Sequence, residues 1–262
     1  MDLAAHALTA RRDAWAWRLL ATGASFVLFG LGGLLLAAML PLLACVPGHP
    51  VQRRQRARAA VGGAFRLHAW FMRATRVLDI SIEGSARLGR PGQLIVANHP
   101  SLIDVVFLLG QVPQANCIVK AALLRNPFTR GPMRAAGYIG NDGELETLER
   151  AAAALHAGEC LLVFPEGTRT PPGTAPRFQR GAAAIALRGA REVLPVFVRV
   201  APTTLTKAEP WYRIPPRRVQ VQLRVGVPCR PVDFAQNLPP PIAARHLTDH
   251  LHRLYAKELA TP

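Results

Sequence analysis

A chain of 262 residues, half of them hydrophobic, has room for one medium domain with a large core and for an appendage. Its net charge of +16, from 32 basic residues against 16 acidic ones, implies an anionic partner. An aromatic content of 6% and the lack of any helix-turn-helix or zinc spacing argue against nucleic acid and leave an anionic membrane surface.

Residues 1–16 are polar at first and carry Arg11, Arg12 and Trp15, after which Leu19 to Val46 runs without a charge. About 28 residues at 1.5 Å each reach roughly 42 Å, more than the hydrocarbon core of about 30 Å. Pro41 can kink this run, and Gly23, Gly30, Gly32 and Gly33 offer a face for close helix contact. The run exceeds the apolar part of a secretory signal, and Arg53, Arg54, Arg56 and Arg58 follow at once, which disfavours export of that flank. Basic residues stand on both sides, so a single span and a kinked, re-entrant pair of helices both fit. From Val61 to Val77, Phe65, Leu67, Trp70 and Phe71 alternate with Arg66, His68, Arg73 and Arg76. This pattern predicts a basic amphipathic helix at headgroup level, the alternative being a helix packed on the core. Residues 1–82 are thus expected to anchor the chain in a membrane, and residues 83–262 to form the second domain.

Beyond that anchor the chain reads as α/β, with a mixed, mostly parallel sheet flanked by helices. Leu78 to Ile82, Leu94 to Ala97, Asn116 to Val119, Cys160 to Phe164, Val193 to Val200 and Val219 to Val225 are short β-rich runs. Helical patterns cover Glu144 to Ala157, with acidic residues in the first turn, Gly181 to Arg188, and Ile242 to Leu259 with Leu247, Leu251 and Leu254 on one face.

Two polar turns follow strand-like runs, where open α/β sheets collect their ligands. The first is Asn98-His99-Pro100-Ser101-Leu102-Ile103-Asp104 and the second is Phe164-Pro165-Glu166-Gly167-Thr168-Arg169. Five residues rotate about 500° on a regular helix, so His99 and Asp104 would face different ways on one. If His99 precedes the helix and Pro100 starts it, the imidazole can fold back over the first turn, and a carboxylate then holds one ring nitrogen while the other takes a proton. In the second turn Gly167 permits close backbone approach, Thr168 carries a hydroxyl, and Arg169 offers a fork to phosphate.

These two turns, in this order and separation, resemble the glycerolipid acyltransferase family, with its Asn-His-x-x-x-x-Asp and Phe-Pro-Glu-Gly-Thr-Arg blocks. Weaker likenesses lie in Asn126-Pro127-Phe128 with Gly137-Tyr138-Ile139, and in Val193-Leu194-Pro195-Val196, so the resemblance covers residues 83 to 226. It implies an acyltransferase with His99 as general base and Asp104 as its partner, and with Glu166, Gly167, Thr168 and Arg169 at the acceptor site. The implied donor is acyl-CoA or acyl carrier protein. The implied acceptor is a lysophospholipid such as 1-acyl-sn-glycerol 3-phosphate, attacked directly and without a cofactor or an acyl-enzyme. The implied place is the inner membrane, with the catalytic domain on the cytoplasmic side. One departure stands out. The family's second block ends in an arginine thought to help hold the acceptor phosphate, and that position here is Gly143, after Asp142. The variant block resembles a branch associated with aryl-polyene lipids, which implies a different lipid alcohol as acceptor, one on which lysophosphatidic acid competes poorly.

Lys120, Arg125, Arg130, Arg134, Arg177 and Arg180 are further cations for an anionic donor or acceptor, or for the membrane. Cys45, Cys117, Cys160 and Cys229 show no paired spacing and read as small hydrophobes in a reducing compartment. His246 and His250 stand one turn apart without a third ligand, so no metal site is expected. A non-enzymatic membrane protein would have no use for His99, Asp104 and Arg169 together, and an α/β-hydrolase-like esterase would need the Gly-x-Ser-x-Gly elbow that this chain lacks.

Overall fold

The computed structural model describes residues 14–207 and 209–260, so Arg11 and Arg12 lie outside the described residues. Seven strands form one sheet: β1 (Leu78–Glu83), β2 (Gln93–Ala97), β3 (Asn116–Val119), β4 (Ile139–Gly140), β5 (Leu161–Val163), β6 (Glu192–Ala201) and β7 (Val219–Val225). Their order is β1-β7-β6-β2-β5-β3-β4, and every pair is parallel except β6 with β7. The central strands β2 and β5 are buried at every position, which is why residues 94–97 and 161–163 are unbroken apolar runs. Strand β7 alternates buried valines and leucine with exposed Gln220, Gln222 and Arg224, as expected of a strand with one face in water.

Helices cover both faces. On one face, α2 (Pro50–Ala74) packs on α3 (Asp104–Gln111), and Val61, Met72, Val106 and Phe107 share a core with Ile95, Leu162 and Leu194. On the other, α5 (Glu144–His156), α6 (Gly181–Gly189) and α8 (Pro240–Ala260) pack together over Leu94, Val96, Leu161 and Val193. The short α4 (Arg130–Ala135) and α7 (Val232–Ala235) complete the set. The chain leaves β2 into α3 on the first face, and leaves the neighbouring β5 toward α6 on the second. The polar turns after these two strands therefore open a crevice at a topological switch point.

Helix α1 (Trp15–Ala44) contains the long apolar run, with Pro41 in its last turn. It pairs with α2 and α4, burying Arg18, Ala21, Thr22, Ser25 and Leu40 while Leu20, Val27, Leu31, Leu34, Leu35 and Leu42 stay exposed. Both halves of α1 touch the domain: Arg18 donates to the carbonyls of Pro216 and Arg217 at 2.9 and 2.8 Å, and a Cβ on Gly33 would stand 2.5 Å from the Phe128 carbonyl oxygen. The glycines expected to meet a second membrane helix thus divide, Gly23 and Gly33 meeting Trp211 and Phe128 of the domain while Gly30 and Gly32 meet nothing.

The basic helix expected over 61–77 is longer and more deeply packed than its sequence pattern suggests. It starts at Pro50, where the His49 ring accepts from the Val51 N–H at 3.4 Å, and the Arg and Gln stretch before Val61 is its first half. Leu67 and Trp70 face outward, whereas Arg58 is 1% exposed. Its Nε donates to the Ala136 carbonyl at 2.7 Å, and one of its terminal nitrogens lies 3.0 Å from a Glu159 carboxylate oxygen, which also accepts from the Asn116 side chain at 2.9 Å. A buried arginine stripped of its carboxylate leaves an uncompensated charge, so Glu159→Ala is expected to lower stability by about 3 kcal/mol, whereas Arg58→Met combined with Glu159→Leu recovers most of that loss. Chemical denaturation of the purified chain in detergent micelles measures both.

Candidate active site

The first polar turn is built differently from the simplest reading of its sequence. Pro100 does not start the helix; residues 100–103 form a turn and Asp104 is the first residue of α3. That delay lets the carboxylate point back across the turn. One oxygen of Asp104, Oδ2, accepts the Ser101 N–H at 2.8 Å and lies 3.1 Å from Nδ1 of His99. A carboxylate on Nδ1 keeps the ring hydrogen there and leaves the lone pair on Nε2. The imidazole stacks on Phe164, with centroids 4.4 Å apart, and is 19% exposed, so it is held from one side and open on the other. Asn98 prolongs the β2–β6 ladder with its side chain, donating to the Val198 carbonyl at 2.9 Å and accepting from the Val198 N–H at 2.7 Å.

Asp104 has no exposed surface, and its other carboxylate oxygen has no hydrogen-bond partner among the described residues. Burial pushes its pKa up, while the bond to His99 and the charges of His99 and Arg169 pull it down. Its position in the first turn of α3 favours the anion through the helix dipole.

The second polar turn closes on the first. Glu166 is buried, and its carboxylate accepts the backbone N–H of His99 at 2.9 Å and the hydroxyl of Thr170. In return, the N–H of Thr170 donates to the His99 carbonyl at 3.0 Å. Burial pushes the pKa of Glu166 up against the pull of these bonds. Gly167 has a φ of +66°, which disfavours any side chain, and the turn is closed by its N–H to the Phe164 carbonyl at 3.1 Å. One terminal nitrogen of Arg169 donates to the carbonyls of Leu205 and Thr206 at 2.8 and 2.9 Å, so part of its fork is committed to the loop after β6.

All six predicted residues therefore meet at the ends of β2 and β5, but not with equal roles. His99 and Asp104 pair as their sequence suggests, Glu166 binds the backbone between the turns, and Gly167 closes its own turn through Phe164. Lys120, Arg125, Arg130, Arg134, Arg177 and Arg180 stay at the exposed surface. Gly143, at the family's arginine position, is extended and starts α5, and Asp142 beside it is exposed.

Two contributors carry no sequence motif. The loop from Thr204 to Thr206 is buried, supplies the carbonyls that hold Ser101 and Arg169, and has Leu205 in a left-handed conformation at φ +52°. Tyr255 of α8, rather than the expected Leu254, is the fully buried residue of that face, and its hydroxyl donates to the Val96 carbonyl at 2.6 Å, just below the first turn. The i, i+4 spacing of Leu247, Leu251 and Tyr255 is its only sequence signal.

Beside the turns an apolar cavity of about 220 Å³ runs between α1, α2 and α3, with Leu102, Ile103, Thr204 and Leu205 at the end nearest the site. Cys117 and Cys160 are buried with thiols pushed up to about 12 by burial, which leaves them inert as nucleophiles. Cys45 is exposed, outside the buried role its apolar neighbours imply. Among the described residues no three His, Cys, Asp or Glu side chains converge on a metal position, and His250 leans on Phe234 while His246 is exposed.

A family model described as acyltransferase matches residues 79–199. The chain is 29% identical over 149 residues to a 1-acyl-sn-glycerol-3-phosphate acyltransferase of Pseudomonas aeruginosa, across 55% of this chain and 58% of the relative. It is 30% identical over 171 residues to a lyso-ornithine lipid O-acyltransferase of the same organism, across 63% and 62%. The chain thus spans about three fifths of the length of these curated relatives. The crystal structure of the 1-acyl-sn-glycerophosphate acyltransferase PlsC from Thermotoga maritima has the same fold, with a TM-score of 0.72 at 22% identity over 95% of this chain and all of that one.

The buried carboxylate of Glu166 has a direct test. Because its pKa is raised in the fold, its contribution to stability is fully present below the ordinary glutamate pKa and is lost as pH rises through the raised value. Glu166→Gln keeps an acceptor for His99 without that loss, so its stability relative to the wild type is expected to improve from acid to neutral pH. Glu166→Ala loses both bonds and is expected to cost about 1–3 kcal/mol. Thermal unfolding of the three proteins at two pH values reads the difference.

Proposed function

We propose that this chain, whose residues 79–199 match the family model described as acyltransferase, moves a fatty acyl group from a thioester, acyl-CoA or acyl carrier protein, to the hydroxyl of a lysophospholipid such as 1-acyl-sn-glycerol 3-phosphate. The observation that carries this reading is the His99 and Asp104 pair, 3.1 Å apart, in a turn whose Leu102 and Ile103 line an apolar cavity. Nε2 of His99 takes the proton of the acceptor hydroxyl as its oxygen attacks the thioester carbonyl. The new ester C–O bond forms, the C–S bond breaks, and the imidazolium returns the proton to the departing thiolate. Asp104 as the anion stabilises the imidazolium in between. Protonating Asp104 removes that support, so activity falls as pH drops through its raised pKa.

Membrane attachment follows from the surfaces left bare. The outer face of α1 exposes Leu31, Leu34 and Leu35, and α2 adds Leu67 and Trp70 with Arg66 and Arg73 beside them. Together these form an apolar face edged by cations, suited to an anionic leaflet, with the crevice on the cytoplasmic side of the inner membrane.

His99→Ala is expected to cut turnover by about 10²–10⁴ with unchanged circular dichroism, and Asp104→Asn to do nearly as much harm. Wild-type turnover in His99→Ala would remove His99 from the chemistry.

A second reading concerns the acceptor alone. Arg169 already spends part of its fork on the Leu205 and Thr206 carbonyls, and the second arginine of the family is replaced by Gly143. Both favour a lipid alcohol with less phosphate charge, in keeping with the likeness to a lyso-ornithine lipid O-acyltransferase and with the aryl-polyene branch. In a mixed assay lysophosphatidic acid is then expected to lose to the other acceptors. A preference for it that survives Arg130→Ala and Arg134→Ala returns the chain to the acylglycerol-phosphate reading.

A further inference from the structure

The cavity beside the site is apolar along most of its wall, but not at one end. A second, smaller cavity of about 80 Å³ adjoins it, and Phe29, Phe65, His68, Thr129, Met133 and Tyr138 line both. These six side chains are thus a partition across one slot that starts at Leu102 and Leu205 and continues toward Gly32, Gly33 and Phe128.

Two of the six are anomalous. Tyr138 is only 4% exposed, yet among the described residues no group accepts from or donates to its hydroxyl. The imidazole of His68 touches the edge of Phe29, at 5.5 Å between centroids, and has no hydrogen-bond partner either. Neither group is sealed off: Tyr138 and His68 border both cavities, where a polar group without a protein partner is open to one supplied by a ligand. A serine or threonine on a helix can fall back on the carbonyl one turn earlier, as Thr75 does with Phe71. Tyrosine and histidine reach too far from their own backbone for that.

Tyr138 is held in this place on purpose of geometry. Gly137 before it has a φ of +65°, and the Tyr138 N–H donates to the Met133 carbonyl at 3.1 Å, so the turn after α4 drives the ring into the partition. Phenylalanine would fill the same volume without an unpaired hydroxyl. The partition therefore combines an apolar fit with two hydrogen-bonding groups, one a donor and acceptor and the other able to be either.

We propose that this slot selects an acyl chain bearing a hydrogen-bonding substituent, a hydroxyl in the simplest case, at a position that reaches His68 and Tyr138. This inference rests on the acyl-transfer reading and adds the class of donor to it. A plain saturated chain would bury itself against the partition and leave both groups unpaired, whereas a hydroxylated chain of equal length satisfies them. Sites built to bond a substrate hydroxyl discriminate against the analogue that lacks it.

The test is a positional series. The purified full chain in detergent micelles is given dodecanoyl-CoA and its isomers hydroxylated at successive carbons, with lysophosphatidic acid and lyso-ornithine lipid as acceptors. One or two adjacent isomers are expected to exceed the plain chain in kcat/KM by about tenfold. Tyr138→Phe and His68→Leu are each expected to bring that ratio toward unity. A plain chain that equals or beats every isomer overturns the proposal, as does a preference that survives both substitutions. If Tyr138→Phe raises the melting temperature while the ratio stays put, the hydroxyl serves a trapped water and the proposal fails. No transfer from any donor to either acceptor would instead remove the acyl-transfer reading itself.

Discussion

The carboxylate of Glu166 holds the two halves of the site together. Strands β2 and β5 are neighbours in the sheet, but the turns that follow them leave toward opposite faces and would splay apart without a tie. Glu166 supplies it from below, receiving the backbone N–H of His99 and the hydroxyl of Thr170, while the Thr170 N–H returns to the His99 carbonyl. The tie acts on main chain, so it sets where the His99 ring begins rather than what it touches. Asp104 and Phe164 then settle the ring's angle, one through Nδ1 and one through its face. A buried carboxylate in this position is costly, and its bond to the His99 N–H, beside the reciprocal bond from the Thr170 N–H, offsets that cost by joining two turns far apart in the chain.

Around that tie the molecule is layered by polarity. The two core clusters lie on either side of the sheet, and the side facing α2 and α3 also receives α1, so the apolar helix is part of the fold's wall. The ion pair of Arg58 with Glu159 serves the same junction from within, linking α2 to the segment before β5 and, through Asn116, to β3. The cavity occupies the seam left between these helices. Its near end is the loop of Leu205, whose carbonyl receives both Leu102 and Arg169.

Much of this was legible in the sequence. The strands Asn116–Val119 and Val219–Val225 coincide with their β-rich runs, and the helix from Glu144 announces itself by its acidic first turn. His99 and Asp104 could be paired because Pro100 reads as a helix start that leaves His99 outside the helix; the fold keeps the pairing but delays the helix to Asp104. What stayed hidden depends on partners remote in sequence. The first half of α2 reads as a basic flank because nothing local to Arg58 reveals that Glu159 lies waiting for it. The two-residue strand Ile139–Gly140 has too few positions for any period to register. Arg169 looks like a free fork until the Leu205 loop arrives from beyond β6, and Tyr255 looks like one more helical aromatic until its hydroxyl meets the end of β2.

The face of α1 that turns inward is a wall of the cavity, with Arg18, Thr22, Ser25, Phe26 and Phe29 along it, while Val27 and Leu31 turn outward on the same turns of helix. A single helix thus carries two kinds of information at alternating positions, how the protein meets its surroundings and what shape of molecule it admits. The two cannot drift apart freely over evolutionary time. A lineage that lengthens, shortens or rotates this helix to suit a different bilayer also moves the inner wall, so a change of lipid environment brings a change of diet with it.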